Sequence, residues 1–188
     1  MTAGRPRDAS VETRVLTATR TLLSERGYAG LRIDDVAASS GVAKTTIYRR
    51  WPSLAHVAVA AAAELVGERA VEPTGDPERD LREACRVGLA SLRRGGASLP
   101  ALAPEVHRQK DPELRTAYRR AMVDPMRDLV ARCIRAGIDA GDFRELDPWA
   151  AADALVGAAI YRLVLLHETP SSEDLEAVLD VVLNGLRA

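Results

Sequence analysis

Residues 31–54, LRIDDVAASSGVAKTTIYRRWPSL, constrain this chain more tightly than any other stretch. They read as two short helices joined by a tight turn. Val36 and Ala37 give the first helix an apolar step. Ser39-Ser40-Gly41 is the turn, with Gly41 free to take the left-handed backbone that closes a helix. Val42, Ala43 and Ile47 give the second helix an inward side. At about 100° per residue, Ala43, Ile47 and Trp51 share one face. Thr45 and Arg49 point the opposite way, flanked by Thr46 and Tyr48, with Lys44 and Arg50 at the border. A short helix that buries one side and turns Thr, Tyr and Arg outward suits the major groove of DNA. Spacing alone leaves a second reading open. Helical hairpins of this kind also occur in proteins that never touch nucleic acid, with the outward arginine simply solvated.

The wider pattern resembles a family. From about Ser10 to Trp51 the chain is similar to the DNA-binding domain of the tetracycline-repressor (TetR) family of bacterial transcription regulators. The resemblance includes a first helix ending at Gly27-Tyr28, then IDDVAASSGVAKTTIYRRW. Thr-Ile-Tyr followed by two polar residues and an aromatic is its most specific part. The remainder looks like the helical regulatory domain of that family. The resemblance implies a homodimeric, ligand-responsive regulator, a repressor that binds a pseudo-palindromic operator in double-stranded DNA. Thr45 and Arg49 are expected at base edges, with Lys44 close behind, since Arg suits guanine O6/N7 and Thr a thymine methyl. Thr46, Tyr48 and Arg50 are expected on phosphates or the groove wall. Two positions depart from the family pattern. Arg32 replaces a small hydroxyl residue, which removes a helix cap and supplies a cation within reach of phosphate. Leu54 replaces a Lys, which removes one phosphate contact.

Charge is distributed in keeping with a DNA-facing end. The 188 residues carry a formal net charge of −1. Residues 1–56 hold nine Lys/Arg against five Asp/Glu, and residues 57–188 hold 17 against 22. A basic first third on an acidic remainder points to one nucleic-acid-facing end. Apolar residues make up 47% and aromatics 4%, so the core must be built of Ala, Leu and Val. No run of about 18 uncharged apolar residues predicts a transmembrane helix. MTAGRPRDAS lacks the apolar segment of a signal peptide, so the expected location is cytoplasmic.

The chain reads as all-α. The domains expected are a helix-turn-helix reader over 1–52, a linker helix and boundary over 53–74, and a larger regulatory and dimerisation domain over 75–188. Residues 1–9 read as a flexible arm. Ser10 is the expected cap of the first helix and Gly27 its stop. An Ala-rich linker helix is expected over roughly 53–70, then helices from Asp76 to about Arg94 and over 99–108, the latter interrupted by Pro104. Asp111-Pro112-Glu113 starts a helix reaching about Ala140 with a kink near Pro125. Asp147-Pro148 repeats the start signal, and Ser171 to Asp174 is capping-box-like.

The last two predicted helices are apolar over most of their circumference. That demands cover on more than one side, from the protomer's own core or from a second copy. The family resemblance implies a four-helix dimer contact, with Leu155, Ala159, Leu163, Leu175, Val178, Leu179, Val182 and Leu186 as the expected interface. The same resemblance implies a small-molecule effector between the middle and late helices, where His107, Tyr118, Met122, Met126, Cys133, Phe143, Trp149 and Tyr161 would suit an apolar or aromatic one, centred on Trp149 and Tyr161. Cys85 and Cys133 fit no metal or redox spacing and read as small core residues. No cofactor and no metal is expected. Two rival functions compete with this reading: a nucleoid-type DNA-binding protein without operator preference, and an all-helical enzyme. The enzyme is poorly supported. The histidines are dispersed, there is no HExxH or phosphate-binding glycine loop, and Asp34-Asp35 offsets a helix macrodipole.

Overall fold

The computed structural model describes residues 9–66, 70–95 and 98–187. The expected arm over 1–9 falls outside them except for Ala9, which opens the first helix. Ten α-helices are described: α1 (Ala9–Arg26), α2 (Ile33–Ser40), α3 (Lys44–Arg50), α4 (Leu54–Val66), α5 (Pro77–Gly95), α6 (Ser98–Arg108), α7 (Pro112–Tyr118), α8 (Asp124–Ala140), α9 (Pro148–Val164) and α10 (Ser172–Leu186). A π-turn, Arg119–Val123, joins α7 to α8. The described residues contain no β-strand, only an isolated bridge between Phe143 and Arg187. None of the described helices is long and apolar enough to cross a membrane.

Local chemistry explains the starts of four helices. Asp111 accepts from the backbone N–H of Glu113 and Leu114 at the start of α7, and Asp147 accepts from Trp149 at the start of α9. Asp76 accepts from Arg79 N–H ahead of α5. Ser171 and Asp174 form a reciprocal capping box on α10. Three expectations need correction. Ser10 lies one residue inside α1, which opens at Ala9. Pro104 does not interrupt α6, which runs through it. The kink expected near Pro125 is a π-turn, placed just ahead of the proline.

The apolar residues gather into two main cores. In the reader core, Val15, Leu16, Leu22 and Leu23 of α1 meet Val36, Val42, Ile47, and Val57, Ala58, Ala61 and Ala62 of α4. Leu102 of α6 closes it. The other side of α4, through Ala55 and Val59, packs on Val106 of α6 and Leu114 of α7. Tyr28 packs against both groups. Burial, reinforced by the Glu105 carboxylate, pushes its phenol up to about 12. The regulatory core joins α5, α8, α9 and α10 through Leu81, Leu129, Val130, Ile134, Ala152, Leu155, Leu179 and Leu183. Cys85 and Cys133 sit inside it as free thiols, and burial raises Cys85 to about 12.

Polar contacts fasten the seams. Ser53, just ahead of α4, lies 2.9 Å from His56 Nδ1 and donates to Gln109 Oε1 at 3.1 Å. His56 Nε2 is 3.4 Å from the Asp111 carboxylate. A Ser, a His and an Asp therefore meet here, but the Ser proton is directed at Gln109 and Asp111 is occupied as a helix cap. The cluster ties the start of α4 to the α6–α7 connection. Arg82 of α5 binds Glu78, Glu176 and Asp180, bridging to α10. Such exposed pairs each contribute about 0–1 kcal/mol.

One close approach is testable. Helix α8 ends where Phe143 folds back over Gly137, whose carbonyl accepts from Phe143 N at 3.0 Å. A Cβ at Gly137 would overlap the ring, 2.8 Å from Phe143 Cγ. Gly137→Ala should therefore lower the thermal midpoint by roughly 2–12 °C despite its better helix propensity, with Gly137→Ala/Phe143→Leu recovering part of the loss. Thermal denaturation followed by circular dichroism measures both.

Candidate nucleic-acid interface and interior cavity

The turn between α2 and α3 is built by Gly41, at φ 64° and ψ 24°, in the left-handed region that a side chain disfavours. Ser40 is buried beside it, its hydroxyl accepting from Val42 N–H at 3.3 Å. Ala43 then enters α3 with extended backbone, its carbonyl accepting from Thr46 and Ile47. The expectation that Ala43 faces inward is not met. It precedes the first helical residue, so helical periodicity does not govern its side chain, which is exposed. Ile47 is fully buried and Trp51 half-buried against the reader core, as the spacing predicts.

The outward side of α3 carries Lys44, Thr45, Tyr48 and Arg49, all exposed. At 100° per residue these four span an arc of about 140° centred away from Ile47. Thr46 and Arg50 are half-buried on its flank. The cations are not all independent. Lys44 forms an ion pair with Asp34 of α2, and Arg50 lies 3.3 Å from Glu12 of α1. Arg26 pairs with Asp35 at 3.1 Å. Arg32 precedes α2 without a side-chain cap, as expected. Arg32 is exposed, and its Nη1 donates to Ala29 O and Leu31 O at 3.0 and 3.1 Å. Sequence reasoning missed the carboxylate partners Glu12 and Asp34. Both are distant from their cations in sequence, and helical spacing within one segment gives no signal for them.

A partly open cavity of about 60 Å³ lies against the regulatory core. It is lined by Cys85, Gly88, Leu89 and Leu92 of α5, Met122 of the π-turn, Met126 and Val130 of α8, Leu155, Val156, Ala159 and Ile160 of α9, and Leu175 of α10. No lining residue carries a formal charge. Of the residues expected around an effector, Met122 and Met126 line this cavity. His107 and Tyr118 instead line a separate open cleft of about 590 Å³ between α6, α7 and the π-turn, and Phe143 is buried over Gly137. Cys133 is in the core beside the cavity but not on its wall. Trp149 and Tyr161 are 41% and 54% exposed, so the expected centre of the site lies on the outer surface of α9. Arg127 stacks over the Trp149 ring at 4.6 Å and binds Asp153. The usable signal was the α5 stripe through Cys85, Gly88 and Leu92. Its small members leave room that large aromatic residues would have filled.

The expected partner-facing stripe also divides. Leu155, Leu179 and Leu186 are buried inside the protomer. Ala159, Leu163, Leu175, Val178 and Val182 are half-buried. The apolar groups left in solvent are Ile160, Tyr161, Leu165 and Leu166 on and after α9, and Val181 on α10 at 72% exposure. Periodicity selects the most apolar stripe, and in a two-sided helix that stripe belongs to the protomer's own core.

Comparison with known proteins agrees with this architecture. The profile described as bacterial regulatory proteins, tetR family, matches residues 15–57. The tetracyclin repressor-like C-terminal domain profile matches residues 71–182. The HTH-type transcriptional regulator Rv1556 of Mycobacterium tuberculosis is 32% identical over 190 residues, covering 96% of this chain and 92% of that protein. The DNA-binding transcriptional repressor TetR of Mycobacteroides abscessus is 35% identical over 116 residues, 59% of each chain. The crystal structure of the TetR family transcription regulator SCO0332 superposes with a TM-score of 0.71 at 32% identity, covering 95% of this chain and 100% of that one. The chain belongs to the tetR family of bacterial regulatory proteins and is a DNA-binding regulator of transcription.

Proposed function

We propose that two copies of this chain form a cytoplasmic repressor that holds a pseudo-palindromic operator and releases it when a neutral, apolar small molecule enters the cavity. The observation that carries the reading is the arc of Lys44, Thr45, Tyr48 and Arg49 on α3, exposed and backed by buried Ile47. A short helix supported from behind in this way fits the major groove. Arg49 and Thr45 take base edges, and Tyr48 takes the phosphate wall. Lys44 joins them once Asp34 yields it to phosphate. Arg32 and Arg50 contribute positive potential, and Thr46 supports the flank. A second copy is supported by the exposed apolar strip of α9 and α10. Two-fold pairing would present two α3 helices to successive major grooves. The uncharged lining selects the effector class, because a charge buried there would go unpaired. A ligand pocket for a drug-sized molecule needs about 300–1,000 Å³, so Met122 and Met126 must swing aside for the effector. The repressor sense is supported by the name of the Mycobacteroides abscessus relative.

Three measurements test this. Arg49→Ala should weaken operator binding by about 1–3 kcal/mol and relax preference at one base pair per half-site. Tyr48→Phe should weaken all sequences evenly, because a phosphate contact carries no base information. Titrating both variants against the operator and single-base variants of it separates the two effects, and unchanged affinity in Arg49→Ala would remove α3 as the reader. For assembly, Val181→Asp leaves the protomer core untouched, since that side chain already faces solvent. It should shift light scattering from dimer to monomer with an unchanged thermal midpoint of the protomer, while a monomeric parent protein would end the dimer reading. For regulation, a screen of neutral aromatic compounds should yield ligands that weaken operator binding about 5–150-fold, with operator weakening the ligand by the same factor. Ligands that bind free and DNA-bound protein equally would contradict the release mechanism.

A further inference from the structure

We propose that Met122, carried on the π-turn between α7 and α8, is the positioning residue through which filling of the cavity reaches the reader. The proposal rests on the reading of that cavity as the effector site. Its starting point is a sequence constraint. Pro125 has no N–H, and in a regular helix its ring would strike the carbonyl of Ala121. The chain widens instead, and Asp124 N–H bonds the carbonyl of Arg119, five residues back. Turns of this kind interrupt the regular ladder and recur at functional positions. This one interrupts the regular ladder between α7, where Arg119 N–H still bonds Arg115 O, and α8.

Met122 is the residue on that turn with two sets of neighbours. On one side it lines the cavity with Met126 and Gly88. On the other it touches the reader core formed by α1, α3, α4 and Leu102 of α6. Among the cavity-lining residues, it is the one that also belongs to that reader core. Its neighbour Met126 leans on α5 so closely that a Cβ on Gly88 would stand 2.7 Å from the Met126 sulfur. A molecule entering about 60 Å³ of space must therefore move Met126, and then Met122. Met122 is half-buried and packs against the reader core, so its displacement presses on that core, because close-packed interiors transmit displacement rather than absorb it. An unbranched thioether suits this role, since it rearranges among rotamers where a branched side chain would block.

The test crowds the cavity without any ligand. Operator affinity is measured by fluorescence anisotropy for the full chain, Gly88→Val, Met122→Ala and the double variant, on a DNA fragment selected from a random pool by the unmodified protein. Gly88→Val should weaken operator binding at least about fivefold, the lower end of ordinary allosteric coupling. In the Met122→Ala background the same substitution should change affinity less than about twofold, and Met122→Leu, which restores bulk, should restore the response. Met122→Ala alone sets the baseline for the cycle, and its thermal midpoint is measured alongside so that coupling to Gly88→Val is separated from loss of folded protein. Should Met122→Ala fail to fold, Met122→Val takes its place in the cycle. Equal weakening by Gly88→Val in both backgrounds, or none in the parent, would overturn the role of Met122. A parallel arm uses indole as a neutral probe in calorimetry. Indole that binds without altering operator affinity would count against the cavity as the effector site, while the double-mutant cycle still decides Met122.

Discussion

One helix of small side chains is covered on two sides at once, and the rest of the molecule is arranged around it. Helix α4 turns Val57, Ala58, Ala61 and Ala62 towards the reader and Ala55 and Val59 towards α6 and α7. Alanine on both sides lets the helices approach to the short end of the usual 8–10 Å spacing. Larger side chains on either side would separate the reader from the remainder. The Ser53–His56–Asp111 contact and Tyr28 then fix the same seam from its edges. The orientation of α3 relative to the regulatory helices is thus set by packing rather than by a flexible linker.

The electrostatics of the reader follow from its position. Two cations of α3 are matched by carboxylates on α1 and α2, Arg50 by Glu12 and Lys44 by Asp34, and Arg26 of α1 pairs with Asp35 of α2. These pairs are largely exposed and contribute little to stability. Their effect is on binding, because phosphate must compete with a carboxylate already in place. Arg49 has no place in these three pairs and sits on the exposed arc, which suits it to reading a base edge.

Much of the fold is legible in the sequence because helix ends are decided locally. Asp111, Asp147, Ser171 and Gly41 each do what their chemistry predicts within three or four residues. The outward arc of α3 is legible for the same reason. Inference fails where it needs knowledge of neighbours. Helical periodicity extended one residue beyond the helix puts Ala43 on the wrong side. Leu155, Leu179 and Leu186 read as a partner-facing stripe because pattern alone does not distinguish a protomer's own core from a second copy. Aromatic content points to a cavity at Trp149 and Tyr161, whereas it opens where Gly88 and Ala159 leave volume unfilled.

The claim that α4 locks the reader to the regulatory helices is tested most directly by native-state hydrogen exchange on the full chain in rising denaturant. The account predicts one opening event for residues 15–23 of α1, 57–62 of α4 and 102–106 of α6, with equal free energies and equal denaturant dependence. A reader spanning residues 9–50 that opens alone, at lower free energy, while α4 stays protected with α6 and α7, would contradict it.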